Sequence, residues 1–286
     1  MTALEPDLER VVAYYESTWF DYRALWLNPT TRAIHFGWWG DGAANHAESL
    51  LAMNRFMATR VGVRFGDRVL DAGCGVGGTA MWLAQEMGAQ VVGITPVPDQ
   101  VERARRYASE RVLGDRVRFE VGDYRATGHP DGSFDVVWAQ ESLCHAADKD
   151  RFFAEAWRVL RPGGRLVVAE YLRRSRPLAP DDERLLHVWL SGWAIPDLGT
   201  PEEMQRWAVD AGFIDVEVGD VTWGVLRSLR RLYRLTNGLY PVAALLHAIR
   251  VRDAAAHGNV VGARAQWRAV QRGLWAYGLI TAHKPG

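Results

Sequence analysis

Apolar positions recur along this chain at two periods. Between residues 61 and 175, short apolar runs alternate with amphipathic stretches, the pattern of strands threaded by helices. The runs predict strands at Asp67–Ala72, Gln90–Thr95, Val117–Val121, Phe134–Ala139 and Arg165–Glu170. Helical spacing predicts helices at Thr79–Met87, Pro98–Arg111 and Lys149–Leu160, the last closed by Arg161-Pro162-Gly163-Gly164. Such alternation implies an α/β fold, a parallel sheet covered by helices. Upstream, Leu8, Val11, Val12, Tyr15 and Trp19 recur at helical spacing, and a second helix is expected at about Asn45–Arg60. Downstream, Pro177 and Pro180 mark a boundary before Asp181-Asp182-Glu183, acids suited to a first helical turn. Trp189 and Trp193 stand four apart on one helical face, and Pro201-Glu202-Glu203 opens a helix carrying Trp207. Arg227, Arg230, Arg231 and Arg234 make a basic helical face. Ala211–Val221 reads as a loop and a sixth strand, and Gly273–Pro285 as an apolar terminal strand. The expected division is a helical cap over 1–60, a core over 61–175, a helical insertion with the sixth strand over 176–275, and the terminal strand of the core sheet over 276–286.

One stretch bears on chemistry. Arg68 to Thr79 reads as a buried strand, a glycine turn and a helix start. Glycines there permit positive φ and close approach of a ligand to the backbone. The following helix aims its first N–H groups at whatever occupies the turn. A nucleotide-type ligand at the carboxyl end of a first strand fits this arrangement. The glycines at 73, 75, 77 and 78 leave a dinucleotide turn open by spacing alone. The Asp71 carboxylate argues against a pyrophosphate and suits an ammonium.

This stretch resembles motif I of the class I S-adenosylmethionine-dependent methyltransferases, an acid followed by G-x-G-x-G, here Asp71, Gly73, Gly75 and Gly77. The resemblance runs over about residues 33–175 and the terminal strand. It is nearest the prenyl diphosphate (geranyl diphosphate C6-) and the sterol and tocopherol methyltransferases. The fold it implies is a Rossmann-like parallel sheet with an antiparallel last strand, a helical N-terminal cap and a helical insertion. The implied cofactor is S-adenosyl-L-methionine. Its residues would be Asp71, Gly73, Gly75 and Gly77, with Thr95 and Gln100 of G-I-T-x-x-x-x-Q serving the ribose. Thr95 stands where strand two of this fold often ends in an acid. Asp123 and Tyr124 match the adenine contact, Gln140 the methionine contact, and His35 and Phe36 a lid over the methionine end.

For the acceptor, E-x-x-C-H-x-x-D-K from Glu141 to Lys149 resembles the sterol C-methyltransferase form. Glu170 matches the glutamate base of prenyl diphosphate enzymes. The resemblance thus makes Glu170 and His145 the catalytic candidates. Tyr15, Trp38, Glu141, Trp189, Trp193 and Trp207 are the candidates for the acceptor pocket. The implied reaction is methyl transfer to an alkene carbon of an isoprenoid, geranyl diphosphate first, through a carbocation that a glutamate deprotonates. Aromatic faces stabilise such cations by about 0.5–2 kcal/mol each. Arg173, Arg174 and the Arg227–Arg234 group could clamp a diphosphate, with Mg2+ as its companion ion. The alternatives are an N- or O-methyltransferase of a small apolar natural product, a cyclopropane-forming lipid enzyme, and a non-catalytic cofactor-binding subunit.

Composition narrows the rest. Lys plus Arg and Asp plus Glu balance at 34 each over 286 residues, so no basic field would gather nucleic acid. The two cysteines, Cys74 and Cys144, make no disulfide framework, and no apolar run is long enough to span a membrane. Both point to a cytoplasmic protein. A homo-oligomer is left open. Thirteen tryptophans, many outside the core stretch, suggest an aromatic pocket.

Overall fold

The computed structural model describes residues 5–286. Its centre is a seven-stranded sheet. In chain order the strands are β1 (Arg68–Ala72), β2 (Gln90–Thr95), β3 (Val117–Val121), β4 (Phe134–Gln140), β5 (Leu160–Arg173), β6 (Ile214–Asp220) and β7 (Trp275–His283). They lie in the order β3-β2-β1-β4-β5-β7-β6. Neighbours from β3 to β5 are parallel, whereas β7 runs antiparallel to both β5 and β6. The sheet reverses order at β1, so the crevice beyond the carboxyl ends of β1 and β4 is the ligand position of such folds.

The helices are α1 (Pro6–Asp21), α2 (His46–Val61), α3 (Gly78–Glu86), α4 (Pro98–Glu110), α5 (Lys149–Val159), α6 (Pro180–Gly192), α7 (Pro201–Asp210), α8 (Thr222–Ala248) and α9 (Ala254–Gln271). Local chemistry sets several ends. The Asn45 side chain accepts from the Glu48 N–H at the start of α2, and Gly62 closes that helix at φ 65°. Thr200 and Glu203 form a capping box on α7. Apolar side chains fill both faces of the sheet. Met53, Met81 and Trp138 lie in one cluster, and Leu70, Phe152 and Phe153 in the other.

The observed β2 and β3 have the expected bounds, and β1 and β4 differ from them by one residue. Strand β5 is longer than expected. Leu160 pairs with Phe134, the Gly163 N–H donates to the Lys284 carbonyl, and Tyr171–Arg173 pair with β7. Cross-strand partners thus extend it at both ends. The stretch 176–275 divides between two roles. Helix α7 packs on α5 and β6, and β6 forms the outer edge of the core sheet. Helices α6, α8 and α9 pack together with α1 to make the cap. No helix among the described residues is long and apolar enough to cross a membrane.

Candidate active site

Two cavities meet above the carboxyl ends of β1, β4 and β5. The first has an empty volume of about 790 Å³, open mouth included, and lies over the glycine turn. Gly73 (φ 92°) and Gly75 (φ 51°) line it. A Cβ on Gly73 would stand 2.2 Å from the Ser142 Cβ, so the turn needs glycine there for space as well as for φ. Gly78 and Thr79, at the start of α3, present their end of the helix to the same space. Gly77 (φ 84°) lies outside it: Phe119 and Ala104 back onto that residue, so its role is to turn the chain.

Polar groups with spare capacity face this cavity. Asp71 is buried, and its Oδ2 has no hydrogen-bond partner. Burial pushes its carboxyl up to about 7, against one backbone hydrogen bond from Ala80. A carboxyl in that state calls for a cation. Gln140 keeps its Nε2 unpartnered while its Oε1 accepts from Thr79 Oγ1 (3.3 Å). His35 Nδ1 donates to the Phe36 carbonyl (2.9 Å), which leaves Nε2 bare. Burial pulls that imidazole down to about 4, so it is neutral. Thr95 Oγ1 donates to Gln100 Oε1 (2.7 Å), and both residues line the cavity. Tyr124 lines it too, its hydroxyl donating to the Ser142 carbonyl (2.9 Å).

Asp123 and Phe36 differ from expectation. The Asp123 carboxylate is taken up by Arg125 (3.0 Å) and lies outside the cavity lining. Arg125, itself buried, also pairs with Asp7 (2.7 Å) of α1 and so fastens the cap to the core. That pairing spans more than a hundred residues, and no local motif announces it. Phe36 lines the second cavity, not the first. Sequence reasoning also missed Arg32, Ile34 and Ser142 in the first lining.

The second cavity has an empty volume of about 750 Å³ and is rich in aromatic side chains. Tyr14, Tyr15, Tyr22, Trp26, Phe36, Tyr171 and Trp193 line it, and burial holds the Tyr14, Tyr15, Tyr22 and Tyr171 phenols neutral. Its charged lining residues are Asp21 and Glu141, with no Arg or Lys. Four residues line both cavities: Tyr15, Ile34, Glu141 and His145.

Glu141 follows β4 with φ 51°. Its Oε1 accepts from the Phe36 N–H (2.7 Å) and the Tyr277 hydroxyl (2.7 Å), and its Oε2 from the Tyr171 hydroxyl. Burial outweighs these bonds and raises the carboxyl to about 7. Tyr171 and Tyr277 face each other across β5 and β7, so the sheet register sets this cradle. His145 Nδ1 donates to the Ala194 carbonyl (3.4 Å), and its Nε2 accepts from the Tyr15 hydroxyl (3.1 Å). Burial lowers it to about 4.

Glu170, the expected base, is fully buried and stands apart from both cavities. Its Oε2 accepts from the Cys144 N–H (2.7 Å) and its Oε1 from the Tyr171 N–H (2.8 Å), so it holds the Leu143–His145 turn. Successive strand residues point to opposite faces, and Tyr171 takes the cavity side. Three expected pocket tryptophans also lie outside. Trp38 stacks on Phe56 (4.0 Å), Trp189 packs behind Tyr171 against Trp275, and Trp207 lies against Gly199 on the α7 side. Of the arginines expected to clamp a diphosphate, Arg231 lies beside the second cavity, donating to the Leu25 carbonyl (3.2 Å) and standing over the Trp26 ring with its Nη1 buried and unpartnered, whereas three are engaged elsewhere. Arg173 pairs with Glu183 and Asp197, Arg174 with Asp220, and Arg227 stacks on Trp39. Among the described residues no group of three or more His, Cys, Asp or Glu could hold a metal ion by itself.

Comparisons with known proteins bear on this arrangement. A family model described as a methyltransferase domain matches residues 70–168. The 27-O-demethylrifamycin SV methyltransferase of Amycolatopsis mediterranei (strain S699) is 38% identical over 191 residues, 66% of this chain and 69% of that protein. Of other curated relatives, tocopherol and sterol methyltransferases among them, the chain spans 33% to 62% of the length. The solved structure of the [4+2]-cyclase SpnF superposes with a TM-score of 0.79 at 28% identity, covering 99% of this chain and 98% of that one. Geranyl diphosphate C-methyltransferase from Streptomyces coelicolor A3(2) shares the fold, with a TM-score of 0.73 at 20% identity over 99% and 100% of the two chains. By its matched core and by the rifamycin methyltransferase of which it covers 69%, the chain belongs to the class I S-adenosylmethionine-dependent methyltransferases.

Proposed function

We propose that this enzyme methylates an alkene carbon of an uncharged, apolar isoprenoid-type acceptor, with Glu141 as the proton acceptor. One observation carries the reading: a buried carboxyl poised near neutrality lies where the polar and the aromatic cavity meet. Bound S-adenosylmethionine supplies an activated methyl group on a sulfonium. Asp71 would pair with its ammonium, the Gly73–Gly75 backbone and the α3 N-terminus with its carboxylate, and Thr95 and Gln100 with its ribose. Tyr124, Gln140 and His35 complete that lining.

On the acceptor side, forming the new C–CH3 bond from the alkene electron pair leaves a cationic carbon. The rings of Tyr14, Tyr22, Trp26, Phe36 and Trp193 would face that cation. Glu141 would then take a proton from the adjacent carbon, whose C–H electrons restore a double bond. Tyr171 and Tyr277 hold the carboxylate in place through their hydroxyls.

Geranyl diphosphate, the acceptor expected from the sequence, suits this lining less well. Asp21 is already paired with Arg252, so the Glu141 carboxyl is the acid left to repel a diphosphate, and no Arg or Lys is among the lining residues. The test is mass spectrometry of the purified protein with S-adenosylmethionine and either geraniol, farnesol or geranyl diphosphate, the last with and without magnesium. A product one methyl group heavier from an uncharged alkene, the methyl placed on carbon by NMR, supports the reading. Faster turnover of geranyl diphosphate, or a methyl group on oxygen or nitrogen, overturns it. A second reading follows from the whole-chain likeness to the [4+2]-cyclase. That reaction joins a conjugated diene to an alkene, so conversion of a polyene carrying both into a cyclic product of unchanged mass, with no cofactor consumed, would select that one.

The glycine turn offers a separate check. Gly73→Ala is expected to weaken S-adenosylmethionine binding by about tenfold or more, since left-handed backbone and a 2.2 Å approach to Ser142 both strain the turn. Isothermal titration of the folded variant measures it.

A further inference from the structure

Helix α8 has an uneven distribution of charge. From Val221 to Arg252 the chain carries six arginines and no Asp or Glu, although the whole chain is neutral. Arg227, Arg230 and Arg234 are exposed in the first half of the helix, and Arg250 just beyond its end. In the second half, Val242 (58%), Leu245 (61%) and Ile249 (58%) are exposed at three- and four-residue spacing, one face of the helix. Val251 (69%) and, on α1, Phe20 (68%) extend the apolar patch. These two are brought near each other by their chain neighbours, since Arg252 pairs with Asp21 and Asp253 accepts from Ser17. Ordinary surfaces expose apolar side chains singly, not as a stripe.

The patch adjoins the second cavity. Asp21, Tyr22 and Leu25 follow Phe20 in the chain, and Leu232, Thr236 and Asn259 come from α8 and α9; all six line that cavity. A basic, acid-free helix with an exposed apolar face has the chemistry of a segment lying in a membrane interface. Arginines meet anionic headgroups while apolar side chains enter the acyl boundary.

We infer that the Phe20 and α8 face docks on an anionic lipid bilayer, so that the second cavity is loaded from the membrane. The docking is peripheral and rests on charge complementarity and continuity with that cavity. It goes beyond the choice of acceptor, and its readout does not depend on the acceptor's identity.

The test is flotation of the full chain with vesicles of phosphatidylcholine alone, or of phosphatidylcholine and phosphatidylglycerol in about equal parts. The expected result is binding to the anionic vesicles only, weakened by added salt. The double substitution Leu245→Glu with Ile249→Glu should lower that binding about tenfold or more. Both residues lie outside the two cavities, so S-adenosylmethionine affinity of the double variant reports whether it has folded. Arg234→Ser provides a milder second variant, with a smaller loss that salt abolishes. Three results overturn the inference: no binding to anionic vesicles, equal binding by the folded double variant, or a wild-type dimer that the double substitution dissociates in sedimentation velocity. The last would make the occupant a second copy of the chain.

Discussion

Glu141→Gln is expected to lower kcat about a hundredfold or more while leaving S-adenosylmethionine affinity within about threefold. The amide fills the same space and keeps one oxygen for the Phe36 N–H and the tyrosine hydroxyls. What it lacks is the ability to take a proton. Glu170→Gln separates this reading from the alternative. Its carboxyl accepts from the Cys144 and Tyr171 amides and lines neither cavity, so that variant should lose stability and keep most of its kcat. Loss of kcat in Glu170→Gln alone would sink the Glu141 assignment. The pH profile gives an independent readout. In the free protein the Glu141 carboxyl stands at about 7, and a base must be ionised to act. Turnover at saturating cofactor should therefore rise about tenfold per pH unit on the acid side and level at or below about 7, because a neighbouring sulfonium favours the ionised form. The acid limb should vanish in Glu141→Gln.

Asp71→Asn is expected to weaken S-adenosylmethionine binding by about tenfold to a hundredfold, the usual cost of removing one hydrogen bond to a charged group. The pH dependence of binding is the sharper test. The free-protein carboxyl is raised to about 7 by burial, whereas the bound carboxyl faces an ammonium and is ionised. Binding below about 7 must therefore expel a proton, and affinity rises with pH through that range. Above about 8 the cofactor's own amino group loses its proton and affinity falls again. The wild type should show a maximum between these limits in calorimetric titrations. Asp71→Asn should show only the alkaline fall. A wild-type affinity that stays flat from pH 5 to 7 (a span of about 2 units) would mean that Asp71 does not meet the ammonium.

Much of the fold was legible because its signals are local. The strands before and after the glycine turn are continuous apolar runs, and Asn45, Gly62, Pro98 and Thr200 punctuate the helices near them. Part of the lining of the first cavity was legible for the same reason: Asp71, Gly73, Gly75, Thr95 and Gln100 sit at fixed offsets from strand ends. The acceptor half was not. Choosing between Glu141 and Glu170 depends on which face of a strand a side chain takes and on a left-handed residue at 141. A one-residue difference reverses the answer. The tryptophans misled because a large ring buried among others and a ring lining a cavity have the same spacing in sequence. Trp189 and Trp193 share one helical face, yet only Trp193 lines the cavity, and Trp275 and Tyr171 pack on Trp189 from strands far along the chain. Asp123 was claimed by Arg125, which long-range pairing with Asp7 had placed there.

The antiparallel pair at the sheet edge has a consequence for how such an enzyme changes its substrate. Asp220 of β6 lies opposite Gly278 of β7, and the Val221 N–H donates to the Tyr277 carbonyl (2.9 Å). The excursion through α8 and α9 thus leaves and re-enters the sheet at one point, like a cassette held in a socket. Closing a longer or shorter loop across that point costs little, because closure entropy grows only slowly with length. Every residue lining the first cavity lies at or before His145, whereas Leu232, Thr236, Asn259, Val260 and Ala263 of the second come from the cassette. Insertions, deletions or wholesale exchange between Val221 and Leu274 could therefore recast what is methylated without touching what holds the methyl donor. The cassette thus supplies five residues of the second cavity and none of the first, while Tyr15, Ile34, Glu141 and His145, all outside it, border both.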